Sequence, residues 1–185
     1  MYSTETKDTI LNLLGKVQRT GIDKLIKYLK DSDYFTAPAS ANMHSNTEGG
    51  LALHSLKVYY NLVGLTQLKH INISEESLII CALLHDLCKV DFYVKGTRNK
   101  KIDGKWVAVD CWDYSRTFPA GHGEKSVFRI LQYITLTEDE MLAIRWHMGG
   151  FEETKGYDLT ESLKRPLVLL LHLADMMACY IDEGV

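Results

Sequence analysis

This sequence is short of several things, and each shortage excludes a class of protein. None of its four cysteines falls in a CxxC pair or a zinc-ribbon spacing, so Cys81, Cys88, Cys111 and Cys179 read as buried reduced thiols rather than a disulfide framework. There is no basic surplus, since 21 Lys+Arg stand against 24 Asp+Glu for a formal net charge of −3. A protein that grips long nucleic acid by bulk charge is therefore not expected. No apolar run approaches the roughly 20 residues that span a bilayer, and the candidate Leu167 to Leu171 ends at His172. The stretch Met1-Tyr2-Ser3-Thr4-Glu5-Thr6-Lys7 has no apolar core behind a basic start, so the expectation is a cytoplasmic protein without membrane contact. Repeats, low-complexity tracts and linkers are missing too.

What is present is enough for one core. With 185 residues, 46% hydrophobic and 24% charged, the chain reads as a single domain over 1–185. Apolar positions recur at helical spacing. Ile10, Leu13, Leu14 and Val17 stripe a first helix and Ile22, Leu25, Ile26 and Leu29 a second, both within 1–35. A third helix is predicted from Gly50 to about Leu68. Ser74 followed by Glu75 and Glu76 caps a fourth, whose segment Leu78 to Val90 is apolar nearly all round and belongs at the centre of the core. Thr137-Glu138-Asp139-Glu140 is a capping box for a helix to about Met148, and Pro166 opens a last helix to about Ile181. Between them, Glu152 to Thr160 reads as a loop. The one convincing strand signal is a hairpin over about 94–114 turning on Asp103-Gly104. The fold class is all-α with one inserted β-hairpin.

Chemistry enters where hydrophobic sequence is interrupted. His85-Asp86 lies inside Cys81-Ala82-Leu83-Leu84-His85-Asp86-Leu87-Cys88, and Asp175 inside Leu169-Leu170-Leu171-His172-Leu173-Ala174-Asp175. A buried carboxylate costs several kcal/mol unless a cation or hydrogen bonds compensate it. The His-Asp dipeptide carries no weight alone, because chance supplies about half an occurrence in a chain of this composition. Order and context do. His54 follows Gly49-Gly50-Leu51-Ala52-Leu53, His122 sits in Gly121-His122-Gly123-Glu124-Lys125-Ser126, and His147 in Trp146-His147-Met148-Gly149-Gly150.

The series His54, His85-Asp86, His122, His147, Asp175 on successive helices resembles the HD-domain superfamily of metal-dependent phosphohydrolases. Its segments GGLALHSL, ALLHDLCK, GHGEKS, WHMGG and LHLAD also resemble those of small bacterial HD hydrolases and of the HD domain of 3′→5′ exoribonucleases. The likeness covers about residues 36–182, with Cys88 where a glycine is usual and with Met148 and Ala178 where many relatives carry a further His and Asp. The resemblance implies an HD helical bundle with one or two divalent ions. His54, His85, Asp86 and Asp175 would hold one and His122 and His147 the other, with Asp86 bridging. Mixed imidazole and carboxylate donors suit Mn, Fe, Co, Ni or Zn. The implied reaction is hydrolysis of a phosphate ester, of a nucleotide or a related small molecule, by a metal-activated hydroxide, with Asp86 and Lys89 as catalytic residues. The same ligand order also serves mixed-valent di-iron oxygenases, and a non-catalytic nucleotide-sensing module would keep the fold.

Several other residues have two readings each. Lys89, three after Asp86 and four after His85, is a phosphate-binding cation or an ion pair at a helix end. Arg145 and His44 are substrate contacts or surface residues. Trp146, like Phe118 and Phe151, walls a pocket or packs in the core. His172, one turn before Asp175, suits a residue behind the ligands. On the hairpin, Arg98, Lys100, Lys101 and Lys105 with Trp106, Trp112 and Tyr114 offer cations and rings to a nucleotide; the same residues suit a homodimer contact or a solvated edge.

Overall fold

The computed structural model describes residues 4–41, 45–114, 120–151 and 158–183. It is mostly helical. In chain order the helices are α1 (Thr4–Leu14), α2 (Ile22–Asp31), α3 (Gly50–Leu68) and α4 (Glu75–Leu84), then α5 (His122–Ile130), α6 (Glu138–Arg145), α7 (Asp158–Ser162) and α8 (Pro166–Met177). Between α4 and α5 the strands β1 (Tyr93–Ile102) and β2 (Lys105–Tyr114) form one antiparallel hairpin. The expected all-α architecture with an inserted hairpin is what the described residues show. None of their helices is long and apolar enough to cross a membrane.

The local signals act as their chemistry requires. Ser74 Oγ accepts from the Ser77 amide at 3.1 Å and opens α4. At α6, Thr137 Oγ1 accepts from the Glu140 amide at 3.3 Å while Glu140 Oε2 accepts from the Thr137 amide at 2.8 Å, a complete capping box. The hairpin turns on Asp103 and Gly104, both with positive φ, as a two-residue turn that matches strand twist needs.

α4 is the middle of the core: Leu78 to Leu84 are all buried, and α3 packs against both α4 and α8. α6 lies on α8 and α5 on α6. The hairpin stands off this body. Trp106 near its tip is 72% exposed, and it is tied down at its base, where Trp112 Nε1 donates to the Asn46 carbonyl at 2.9 Å and Phe92 stacks on Tyr114.

Three expectations are corrected. The fourth helix does not run to Val90; it ends at Leu84, and Leu87–Lys89 form a 3₁₀ turn held by Lys89 N–H to Asp86 C=O at 2.9 Å and Val90 N–H to Leu87 C=O at 3.2 Å. Apolar periodicity cannot reveal this, because the 3₁₀ turn is as buried as the helix before it. The loop expected over 152–160 contains α7 from Asp158, its earlier part lying outside the described residues. Cys111, expected to be buried, is half-exposed because it lies on the hairpin, whereas Cys81, Cys88 and Cys179 are buried and outside any disulfide.

Candidate metal centre

Five elements deliver the six candidate ligands. His54 sits in the first turns of α3, His85 and Asp86 where α4 gives way to the 3₁₀ turn, and His122 at the start of α5. His147 follows α6 by two residues, and Asp175 lies near the end of α8. The break after Leu84 lets Asp86, with φ −102° and ψ 22°, leave the helical path while the turn keeps Lys89 beside it. Gly123 permits α5 to lie against the end of α6, since a Cβ there would come within 2.2 Å of the Arg145 carbonyl oxygen. That contact ties the start of α5, with His122, to the backbone just before His147.

The side chains converge. His54 Nε2 lies 3.0 Å from Asp175 Oδ1 and 3.9 Å from Asp86 Oδ2. His85 Nε2 lies 3.4 Å from Asp86 Oδ2 and 3.9 Å from Asp175 Oδ1. His147 Nε2 is 3.5 Å from Asp86 Oδ1. Each ligand residue belongs to at least one group whose donor atoms lie within 4.8 Å of one another: His54, His85 and Asp86; His85, His147 and Asp175; His54, Asp175 and Cys179; and Asp86, Cys88 and His122.

Three imidazoles are held by their other nitrogen. His85 Nδ1 bonds the Ala82 carbonyl at 2.8 Å, His147 Nδ1 the Ile144 carbonyl at 2.7 Å, and His54 Nδ1 contacts Glu183 Oε1 at 3.2 Å. A carbonyl can only accept, so Nδ1 of His85 and of His147 carries a proton and donates it there, and each ring turns its Nε2 to the site. His85 Nε2, His147 Nε2 and Asp86 Oδ1 are buried without a hydrogen-bonded partner among the described residues. Buried polar atoms are almost always satisfied, so three orphans facing one space fit a shared cation. The donor set of imidazole nitrogens and carboxylates is that of a divalent transition metal.

The charges are tuned accordingly. Burial alone would raise the Asp86 pKa, but Lys89, His85 and His147 outweigh it and hold the carboxyl well below the usual range. Asp175 is likewise lowered against its burial, chiefly by His54. Burial opposes protonation of His54, yet Asp175 and Glu183 carry its pKa up to about 9. Burial pushes the Cys88 thiol up to about 12.

The other sequence candidates fall in different places. Lys89 is 7% exposed, with Nζ 2.6 Å from Asp86 Oδ2, so it meets the ligands directly. Arg145 is paired to Glu124 through Nε at 2.8 Å and lies over the Trp146 ring at 4.1 Å, while Trp146 is buried in the hydrophobic core. His172 Nδ1 donates to the His147 carbonyl at 2.7 Å, and its ring fills the space beside Gly149, where a Cβ would approach it to 2.6 Å. It therefore steadies the His147 backbone. Arg98 makes none of the described ligand contacts and lines a groove of about 640 Å³ along the hairpin with Lys95, Lys100, Trp112 and Asn46. His44 and Phe118 lie outside the described residues.

Sequence reasoning missed Glu183. Its carboxylate is buried, contacts His54, accepts from Ser45 Oγ at 2.7 Å and has Lys57 Nζ at 3.6 Å. No local pattern distinguishes it from the chain's other acids; only the path of the last helix, which continues as a π-turn over Ala178–Asp182, brings it back to α3. Nor did the spacing place Cys88 and Cys179 at the two flanks of the cluster. Compared with known proteins, the chain matches no family model, no curated protein and no solved structure.

Proposed function

We propose that the chain is a metal-dependent phosphohydrolase acting on a nucleotide or a related small phosphate ester. One observation carries this reading: His85 and His147, locked through Nδ1, turn buried and unsatisfied Nε2 atoms toward Asp86 and Asp175. His54, His85, Asp86 and Asp175 would hold one divalent ion and His122 and His147 another, with Asp86 between them. Such ions lower the pKa of a water and neutralise charge on a phosphoryl group. Lys89 keeps Asp86 ionised and places an ammonium where a phosphate oxygen can accept from it. Glu183 and the Ala82 and Ile144 carbonyls orient the imidazoles.

The nucleotide part rests on the hairpin. Its groove is of the size that takes a small ligand and offers Lys95, Arg98 and Lys100 to phosphate with Trp112 for a base. The ligand order of the sequence and its likeness to HD hydrolases agree with this reading.

The test is metal analysis of the purified full chain, followed by a screen of nucleotides and small phosphate esters with Mn, Co, Ni and Fe. The expected result is about one to two bound ions and metal-dependent release of phosphate or nucleoside. Absence of bound metal, with Asp86→Ala changing neither metal content nor stability, overturns the proposal. So does turnover that requires oxygen and a mixed-valent iron signal.

A further inference from the structure

We propose that Cys88 is a sulfur ligand to the metal position it shares with Asp86 and His122, so that this half of the centre prefers zinc, cobalt or iron to manganese or magnesium. The inference rests on the metal-centre reading above and adds to it a donor atom and a selectivity. Donor atoms of Asp86, Cys88 and His122 lie within 4.8 Å of one another. Ligands at bond lengths of about 2.0 to 2.3 Å around one tetrahedral ion stand roughly 3.3 to 3.8 Å apart, so side-chain adjustment closes the group.

Two further observations point the same way. Asp86 is only 2% exposed; Lys89 occupies its Oδ2, while Oδ1 is buried without a hydrogen-bonded partner among the described residues. The 3₁₀ turn carrying Cys88 is also fastened to the helix carrying His122. The Cys88 amide donates to Ser126 Oγ at 3.0 Å, one helical turn beyond His122 on α5. The two segments that carry the sulfur and the imidazole are therefore tied together through the backbone at Cys88.

The two flanks of the cluster are not equivalent. Cys179 also lies near ligands, but its thiol contacts Asp175 Oδ1 at 3.7 Å in hydrogen-bond geometry, and nitrogen and oxygen donors already surround that position. At the other flank the His122 imidazole has the Phe92 ring at 6.4 Å, edge to face. On loading, the S–H bond breaks, a metal–sulfur bond forms and the proton passes to solvent; no oxidant or reductant is needed. A thiolate raises affinity for soft or borderline ions and does little for manganese, whose preference is oxygen.

The experiment uses the full chain stripped of metal and reloaded. X-ray absorption at the zinc edge should show a sulfur shell near 2.3 Å, at roughly one sulfur for every two zinc ions. Cobalt(II) loading should give a near-ultraviolet thiolate charge-transfer band as the second equivalent binds. Both signals should persist in Cys179→Ala and vanish in Cys88→Ala, and the latter should lose at least about 10-fold in zinc affinity while manganese affinity stays within about 2-fold. If Cys88→Ala does not fold, the sulfur shell in Cys179→Ala still decides. A zinc-loaded wild type with nitrogen and oxygen neighbours alone, or a sulfur shell lost in Cys179→Ala, overturns the proposal while leaving the metal centre standing. A chain that takes up neither zinc nor cobalt overturns both.

Discussion

Glu140 and Asp86 are both carboxylates buried against a basic side chain, and the protein treats them in opposite ways. Glu140 is closed. Its Oε1 accepts from Arg19 Nη2 and Ser77 Oγ, each at 2.7 Å, and its Oε2 from Arg19 Nη1 at 2.6 Å and the Thr137 amide at 2.8 Å. Asp86 is open. Lys89 takes Oδ2, Oδ1 has no hydrogen-bonded partner among the described residues, and unsatisfied imidazole nitrogens of His85 and His147 lie 3.4 and 3.5 Å from the carboxylate. Burial and a nearby cation are common to both sites, so neither distinguishes a structural ion pair from a ligand. The count of unused lone pairs does, since a satisfied network fixes the fold and an unsatisfied one retains capacity for something else.

The largest effect should come from breaking the open site. Asp86→Asn removes a charge that all the neighbouring imidazoles face, and hydrolysis should fall about 1,000-fold or more, with bound metal lost in parallel. Metal content and initial rates on the same preparation check it. Full metal occupancy in this variant would place Asp86 with Glu140, as a structural carboxylate.

The next effect is in the closed site and on a different observable. Glu140→Ala strands the Arg19 guanidinium, whose side chain is only 14% exposed, with Glu76 as its remaining acidic partner, and removes half of the α6 capping box. Stability should drop by about 3 kcal/mol in denaturant titrations, while metal bound per folded molecule is unchanged. Loss of metal at unchanged stability would reverse the comparison.

A smaller effect should appear one layer behind the ligands. Glu183→Gln keeps the shape of the His54 contact but removes its charge, and metal affinity should fall about 10-fold with little change in fold. Competition against a calibrated chelator measures it. Affinity unchanged within error would make Glu183 a packing residue that shares its space with Ser45 and Lys57.

The sequence made the two sites unequally legible. His85, Asp86 and Asp175 interrupt apolar runs, and an interruption of that kind is visible in one dimension; His54, His122 and His147 were marked by order and context, and the structure brings all six into linked groups of donors. The helices and the hairpin were readable for a similar reason, because caps, periodicity and an Asp-Gly turn are local. The Thr137–Glu140 capping box was readable, but Glu140's burial against Arg19, 121 positions away, was not. Glu183 reaches His54 across 129 positions, and the helix break at His85 falls inside a stretch that is buried on both sides of it. Long-range pairing and backbone departures within a buried run leave no periodic trace, whereas a charged residue in a hydrophobic stripe does.

The finest test separates the sites by pH. Burial by itself would raise the pKa of Glu140, but Arg19, the Thr137 amide and Ser77 hold it below its ordinary value near 4.5. A carboxyl whose folded pKa is depressed contributes stability that is present above the unfolded value and lost as pH falls through the folded one. The stability gap between wild type and Glu140→Gln should therefore be constant near neutrality and close as acid is added below about pH 4.5. Asp86 and Asp175 are depressed as well, so the metal-free protein loses stability in acid from both sites. Both proteins carry those two aspartates, and taking the difference between them cancels that contribution and isolates Glu140. Urea titrations of the metal-free proteins from about pH 3 to pH 7 measure the gap. A gap that stays constant through acid would mean that Glu140 draws its stabilisation from hydrogen bonds that survive protonation, and the ionic half of its network would have to be given up.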